Sequence, residues 1–198
     1  MTPQTFIFIG RSGCGKGTQA KLLLEKLKEV DPTRQQFYLE SGEEFRKLVK
    51  GTSYTSRLAK EIYDAGGMQP EFLPIWVWSR LFVDNLTEDE HILLDGMPRR
   101  LKEAFILDGA LTFYKRESPH VFHIDVSREW SAARLSARLR GDDNPTDISA
   151  RLNWFDTEVA PTIEHLKNTD IYTYHKIDGE RPIEKVHEDI LAVVDMSH

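Results

Sequence analysis

The sequence predicts a three-layer α/β protein, a five-stranded parallel sheet with helices on both faces. Three observations predict it. Short runs of β-branched and aromatic residues alternate with helical segments along the whole chain. The first of these runs stops at a glycine-rich loop that opens directly into an amphipathic segment. No repeat and no stretch rich in Gly, Pro or Ser divides the 198 residues, so a single domain spanning 1–198 is expected.

Thr5 to Ile9 reads as a buried strand ending at Gly10. Ala20, Leu23, Leu24, Leu27 and Val30 share one helical face, which Asp31-Pro32 terminates. A second strand is expected at 37–39. Ser41 follows, placed to cap a helix, with Glu44 to reciprocate at the third position. Gly51 and Gly66 mark helix ends, and Pro70 suits the first turn of a helix carrying Trp76, Trp78 and Leu81. Both tryptophans read as packing residues. Further strands are expected at His91–Asp95, 121–126 and 172–177. Helices are expected near 101–116, 128–139, 147–168 and 182–195, with Pro161 kinking or breaking the third.

A formal net charge of -6 argues against nucleic acid or an anionic membrane as partner, because both require a broad cationic surface. Any anion must be met locally. The run Phe6 to Ile9 is too short for a membrane span and lacks the flanks of a leader segment. The one cysteine, Cys14, allows neither an internal disulfide nor a multi-cysteine zinc site, so a reducing compartment, the cytoplasm, is expected.

Gly10-Arg11-Ser12-Gly13-Cys14-Gly15-Lys16-Gly17-Thr18 joins the first strand to the first helix. Backbone N–H groups there can converge on phosphate oxygens, and the helix dipole adds attraction. Lys16 would reach the outer phosphates and Thr18 would lie near a bound Mg-phosphate unit. Cys14 reads as a passive occupant. Gly17 stands where the general phosphate-loop pattern has Ser or Thr. Gly-Lys-Gly-Thr resembles the loop of the adenylate kinases and UMP-CMP kinases. Leu94-Asp95-Gly96-Met97-Pro98-Arg99 resembles the Asp-Gly-Phe-Pro-Arg segment of the adenylate kinase family, with Met97 for Phe. Arg140 to Asp143, then Arg151-Leu152, and Lys176 to Arg181 are similar to later segments of that family, so the resemblance covers nearly the whole chain.

The resemblance implies a P-loop kinase fold and transfer of a phosphoryl group from Mg-ATP to AMP. It places ATP on Gly13, Cys14, Gly15, Lys16, Gly17 and Thr18, with Arg134 near the donor base, Arg138 on donor phosphates and Arg181 in the segment touching the donor adenine. It places AMP against Ser41, Arg46, Gly67, Met68, Gln69, Gly96, Met97, Pro98, Arg99 and Glu103, with Arg140 and Arg151 on the transferring group. Lys16, Arg99, Arg138, Arg140 and Arg151 form the implied catalytic set; Asp95, through water, and Thr18 would hold Mg2+. Judged without the resemblance, Arg46 or Arg99 alone would be a solvated charge. By spacing alone, the later arginines would equally form a salt-bridged surface with Asp142, Asp143, Asp147 and Glu158.

Three departures from the family pattern carry expectations of their own. Only Leu139 separates Arg138 from Arg140, where the family inserts a lid, so a vestigial lid at about 139–143 without zinc is expected. The remainder then divides into a core at 1–40, 71–138 and 152–198 and an acceptor-binding segment at about 41–70. Glu103 stands where the family reads adenine with Gln. An ionised Glu accepts from the exocyclic amine but cannot donate to N1 and would pair more naturally with guanine, whereas on pattern alone it would equally sit on an exposed helix face. Gly67-Met68-Gln69-Pro70 replaces the usual apolar run beside AMP, and Ser41 keeps the hydroxyl of the adenylate-type Thr. The expectation is therefore a monomeric nucleoside monophosphate kinase for AMP, or else for GMP, UMP or CMP. Retention of the basic set speaks against a non-catalytic nucleotide-binding regulator.

Overall fold

Five parallel strands, β1 (Thr5–Ile9), β2 (Gln36–Glu40), β3 (His91–Asp95), β4 (His120–Asp125) and β5 (Thr173–Asp178), form one sheet in the order β2-β3-β1-β4-β5. The structure is a computed structural model that describes residues 2–138, 145–194 and 196, with the backbone alone at 138 and 146. Arg140, Asp142, Asp143 and the expected vestigial lid lie outside the described residues, as does the side chain of Arg138.

Alternation along β1 assigns the two faces. Ile7 and Ile9 enter a core built with α4 (Phe72–Asn85), α5 (Leu101–Phe113) and α8 (Ala160–Asn168), through Trp78, Phe82, Leu107, Leu111, Ile163 and Leu166. Phe6 and Phe8 point the other way, onto Ala20, Leu23 and Leu27 of α1 (Lys16–Val30) and Val186 and Ile190 of α9 (Ile183–Leu191). The expected three layers and parallel sheet are therefore present. Leu135 of α6 (Arg128–Arg138) packs on Ile148 and Leu152 of α7 (Pro145–Trp154) as a small satellite core. The helices α2 (Ser41–Leu48) and α3 (Tyr54–Asp64) make up the excursion after β2.

Four expectations need correction. Ser41 is the first residue of α2 and does not cap it; its hydroxyl donates to the Gly96 carbonyl at 2.8 Å, and Glu44 pairs instead with Lys47. The expected helix 147–168 is three pieces: α7, a π turn over Phe155–Val159 in which the Ala160 N–H reaches the Phe155 carbonyl, and α8. Pro161 can give no N–H to residue 157, so the register widens one turn before it. Trp78 is buried as expected, but Trp76 is half-exposed with the Arg80 guanidinium 5.3 Å from its ring. The alternative that Glu103 faces solvent also fails, because it is buried at 3% exposure.

Candidate active site

The carboxyl ends of β1, β2 and β3 open onto a cleft of about 630 Å³, at the edge where open α/β sheets bind ligands. Ser12, Gly13, Gly15, Lys16, Gly17 and Thr18 line one wall. Lys16 Nζ donates to the carbonyls of Gly10 and Arg11, both at 2.9 Å, which keeps the ammonium against the loop 3.6 Å from Cys14 Sγ. Cys14 is buried and lines a smaller neighbouring cavity rather than the cleft.

Asp95 closes β3 with its carboxylate almost fully buried. The Tyr38 hydroxyl donates to Oδ2 at 3.0 Å. Burial pushes the Asp95 carboxyl above its usual range, while the Lys16 charge pulls it back. A Cβ at Gly17, where the general pattern has a hydroxyl residue, would lie 3.0 Å from the same Oδ2, a tight contact that glycine avoids. Tyr38 was missed from sequence because a tyrosine in a strand reads simply as a good strand former.

A second wall of the cleft is built on Arg99. Its Nε donates to the Gly96 carbonyl at 2.8 Å, its NH2 reaches Ser41 Oγ at 3.2 Å, and its backbone N–H donates to Glu103 Oε2 at 2.7 Å. The charges of Glu103, Asp95, Arg151 and Arg46 all act on it, so the structure brings these groups together. Arg46 pairs with Glu40 at 2.7 Å, a partner that sequence reading did not supply. Burial pushes the Glu103 carboxyl upward, with the Arg99 N–H working against the shift. Gly67, Met68 and Gln69 line the far wall. Gln69 Nε2 donates to the Ala59 carbonyl at 2.8 Å, and the Gln69 backbone carbonyl accepts from Arg100 at 3.0 Å.

Met97 and Pro98 are the exceptions on this side. Met97 is fully buried among Ile9, Leu94 and Trp78, so its bulk supports the segment between Gly96 and Arg99 from beneath, and neither residue lines the cleft. The helix α7 supplies Arg151 and Trp154 from above, and Asp147 meets the excursion. Gly66 adopts φ +67°, which favours glycine, and a Cβ there would lie 2.6 Å from Asp147 Oδ1, so the two segments approach closely across the cleft mouth.

The smaller cavity, about 150 Å³, lies beside the loop and is bounded by Arg134, Arg181, Gly179 and Trp130. The Arg134 guanidinium lies 4.7 Å from the centre of the Trp130 ring, and Arg181 pairs with Asp178 and Asp189. Among the described residues no group of three or more His, Cys, Asp or Glu is placed to hold a metal. Among them, too, no helix is long and apolar enough to cross a membrane.

A sequence profile for one family, described as Adenylate kinase, matches residues 8–171. An adenylate kinase of Corynebacterium aurimucosum is 32% identical over 192 residues, covering 96% of this chain and 98% of its own length. One from Corynebacterium diphtheriae is 32% identical over 191 residues, covering 95% and 97%. One from Prochlorococcus marinus strain MIT 9515 is 31% identical over 175 residues, covering 88% and 90%. With a glycine loop carrying Lys16, a buried Asp95 opposite it and arginines on the facing walls, the chain belongs to the adenylate kinase family.

Proposed function

We propose that this cleft transfers the terminal phosphoryl group of Mg-ATP to AMP, giving two ADP. The observation that carries the reading is the convergence of Lys16, Asp95, Arg46, Arg99 and Arg151 on a single cleft. Lys16 and the loop amides hold the donor phosphates, Arg46 grips the acceptor phosphate, and Arg99 and Arg151 neutralise charge on the group in flight. Arg138 and Arg140 belong to the same set in this reading. No side chain acts as general base, because the attacking phosphate oxygen is already ionised. Ser41, Gly67, Met68 and Gln69 border the acceptor, and Arg134 and Arg181 border the donor base.

The donor set suits Mg2+, which keeps several waters and takes one or two carboxylates plus phosphate oxygens. Asp95, with Oδ2 engaged by Tyr38, and Thr18 across the loop would hold it. Bound there, Mg2+ would neutralise charge on the outer phosphates. The reading extends to a monomer in the cytoplasm, without zinc and without nucleic acid or membrane partners. Its core comprises 1–40, 71–138 and 152–198, its acceptor segment about 41–70, and its lid is reduced to about 139–143.

Glu103 supports a second reading. Its buried carboxylate at the cleft wall complements the N–H edge of guanine, which favours GMP as acceptor. A coupled ADP-release assay with AMP, GMP, UMP and CMP decides between them: AMP is expected to be fastest, and a faster GMP reaction overturns the adenylate reading. Lys16→Met is expected to abolish turnover with every acceptor, and undiminished turnover would overturn both readings.

A further inference from the structure

Arg11, the second residue of the donor loop, turns its side chain away from the cleft. Its guanidinium lies 4.0 Å from the centre of the Phe155 ring, and its NH2 is 2.8 Å from Asp156 Oδ1. Its NH1 is buried. Phe155 and Asp156 open the π turn that directly follows α7, the helix carrying Arg151 and Trp154 into the cleft. Two residues further along this turn, Glu158 pairs with Arg100 Nε at 3.2 Å, and Arg100 NH1 also donates to the Gln69 carbonyl. One π turn is thus tied to the donor loop through Arg11 and to the acceptor loop through Arg100, the residue after Arg99.

We propose that the Arg11–Asp156 pair is a strut that sets the distance between Arg151 and Lys16, which makes Arg11 and Asp156 positioning residues for phosphoryl transfer. The inference rests on the reading above, in which Lys16 and Arg151 touch the transferred group. An exposed ion pair on its own contributes little. This one is different in kind, because the Arg11 guanidinium lies over the face of Phe155, whose ring is itself anchored in the core beneath β1 and β3. Asp156 lies five residues from Arg151 along the same helical run, about 7.5 Å at ~1.5 Å per residue. Movement of the π turn against the loop therefore becomes movement of Arg151 against Lys16. In-line transfer is sensitive to displacements of about 1 Å.

Arg128 provides an internal control. Its NH1 lies 2.9 Å from Asp156 Oδ2 and its NH2 donates to Asn153 Oδ1 of α7 at 2.7 Å, so it ties the same helical run to α6 and to neither phosphate loop. The test compares Arg11→Gln, Asp156→Asn, the double variant and Arg128→Gln by steady-state kinetics with both nucleotides varied. The two single variants are expected to lose about tenfold in kcat, with both KM values within about twofold of wild type. The double variant is expected to be no worse than either single one, while Arg128→Gln keeps the wild-type kcat.

Additive losses in the double variant, a loss confined to KM, or an equal loss in Arg128→Gln would each overturn the strut. Melting temperatures within about 4 °C of wild type are expected. Should Asp156→Asn fail to fold, Arg11→Lys carries the test. It keeps the charge but cannot both stack and bond, so it too is expected to lose kcat, and a wild-type kcat would overturn the proposal. Lys16→Met and Arg151→Lys separate the two levels of inference. If both turn over at the wild-type rate, the reading of the site fails; if both are impaired while Arg11→Gln is not, the strut alone fails.

Discussion

Gly17→Ala would bring a methyl group to 3.0 Å from the Asp95 carboxylate, which would have to give by a few tenths of an ångström while bonded to Tyr38. The variant is expected to lose about tenfold or more in kcat, with little change in melting temperature, because the strain falls on the site and not on the core. A coupled assay beside a thermal melt checks it. Glu103 calls for a pair of variants. Gln keeps an oxygen for the Arg99 N–H and adds an amine donor, so Glu103→Gln is expected to fold normally and to lower KM for AMP. Glu103→Ala removes the acceptor of that part-buried N–H and is expected to cost about 1 kcal/mol in urea unfolding. An unchanged acceptor profile in Glu103→Gln would remove Glu103 from base recognition.

Between α5 and β4, Arg116 reaches back to the segment before β3. It donates to the Glu90 carbonyl at 2.8 Å and pairs with the Glu90 carboxylate, and both side chains are buried. Glu90 also accepts from the Thr87 backbone N–H at 2.9 Å, so the pair knits the entrance of a central strand to the helix that follows it. Arg116→Ala strands a buried carboxylate and is expected to cost about 3–5 kcal/mol, read as a shift of the denaturant midpoint at constant slope. Replacing Arg116 and Glu90 together with apolar residues of similar volume should recover much of that loss. If the double variant is as unstable as the single one, the stranded charge is not the cause.

Across the molecule, burial holds the histidines of the sheet below their ordinary value of 6.5. His120 Nδ1 and His175 Nε2 lie 3.0 Å apart with stacked rings, and burial lowers both, His120 further through the charge of His175. His91 and His123 are likewise lowered, chiefly by burial. A lowered folded value means that the unfolded chain binds protons first as pH falls below about 6.5. The stability these residues hold at neutral pH is therefore lost through that window. Asp95 and Glu103, with raised values, act in the opposite sense: the folded chain holds their protons longer, so their cost is relieved as pH falls. The melting temperature is expected to drop between about pH 7 and pH 5, and His175→Phe, which keeps a ring in the stack, is expected to flatten that drop. Equal slopes for the two proteins would exclude the pair as the source.

The sequence by itself determined the strand order in the chain, the two-sided packing and the donor loop, because each rests on local chemistry. Alternating strands and helices imply a parallel sheet covered on both faces, and a glycine loop between a strand and a helix is legible wherever it occurs. Element ends shifted by a residue or more, as at β2 and β5, and Ser41 moved from cap to loop tie because a hydroxyl serves either role until its neighbours are known. Arg46, Arg99 and Arg151 could be singled out only through the family resemblance, since an arginine's spacing does not reveal what faces it. What the tertiary structure alone decided lies between distant segments. Tyr38 meets Asp95, Glu40 meets Arg46, Gly66 meets Asp147 and Arg11 meets Asp156, each pair formed by residues far apart in the chain or on different elements. These contacts fix where the charges of the cleft stand, because such distances are set by the packing of sheet, excursion and π turn, which no local pattern encodes.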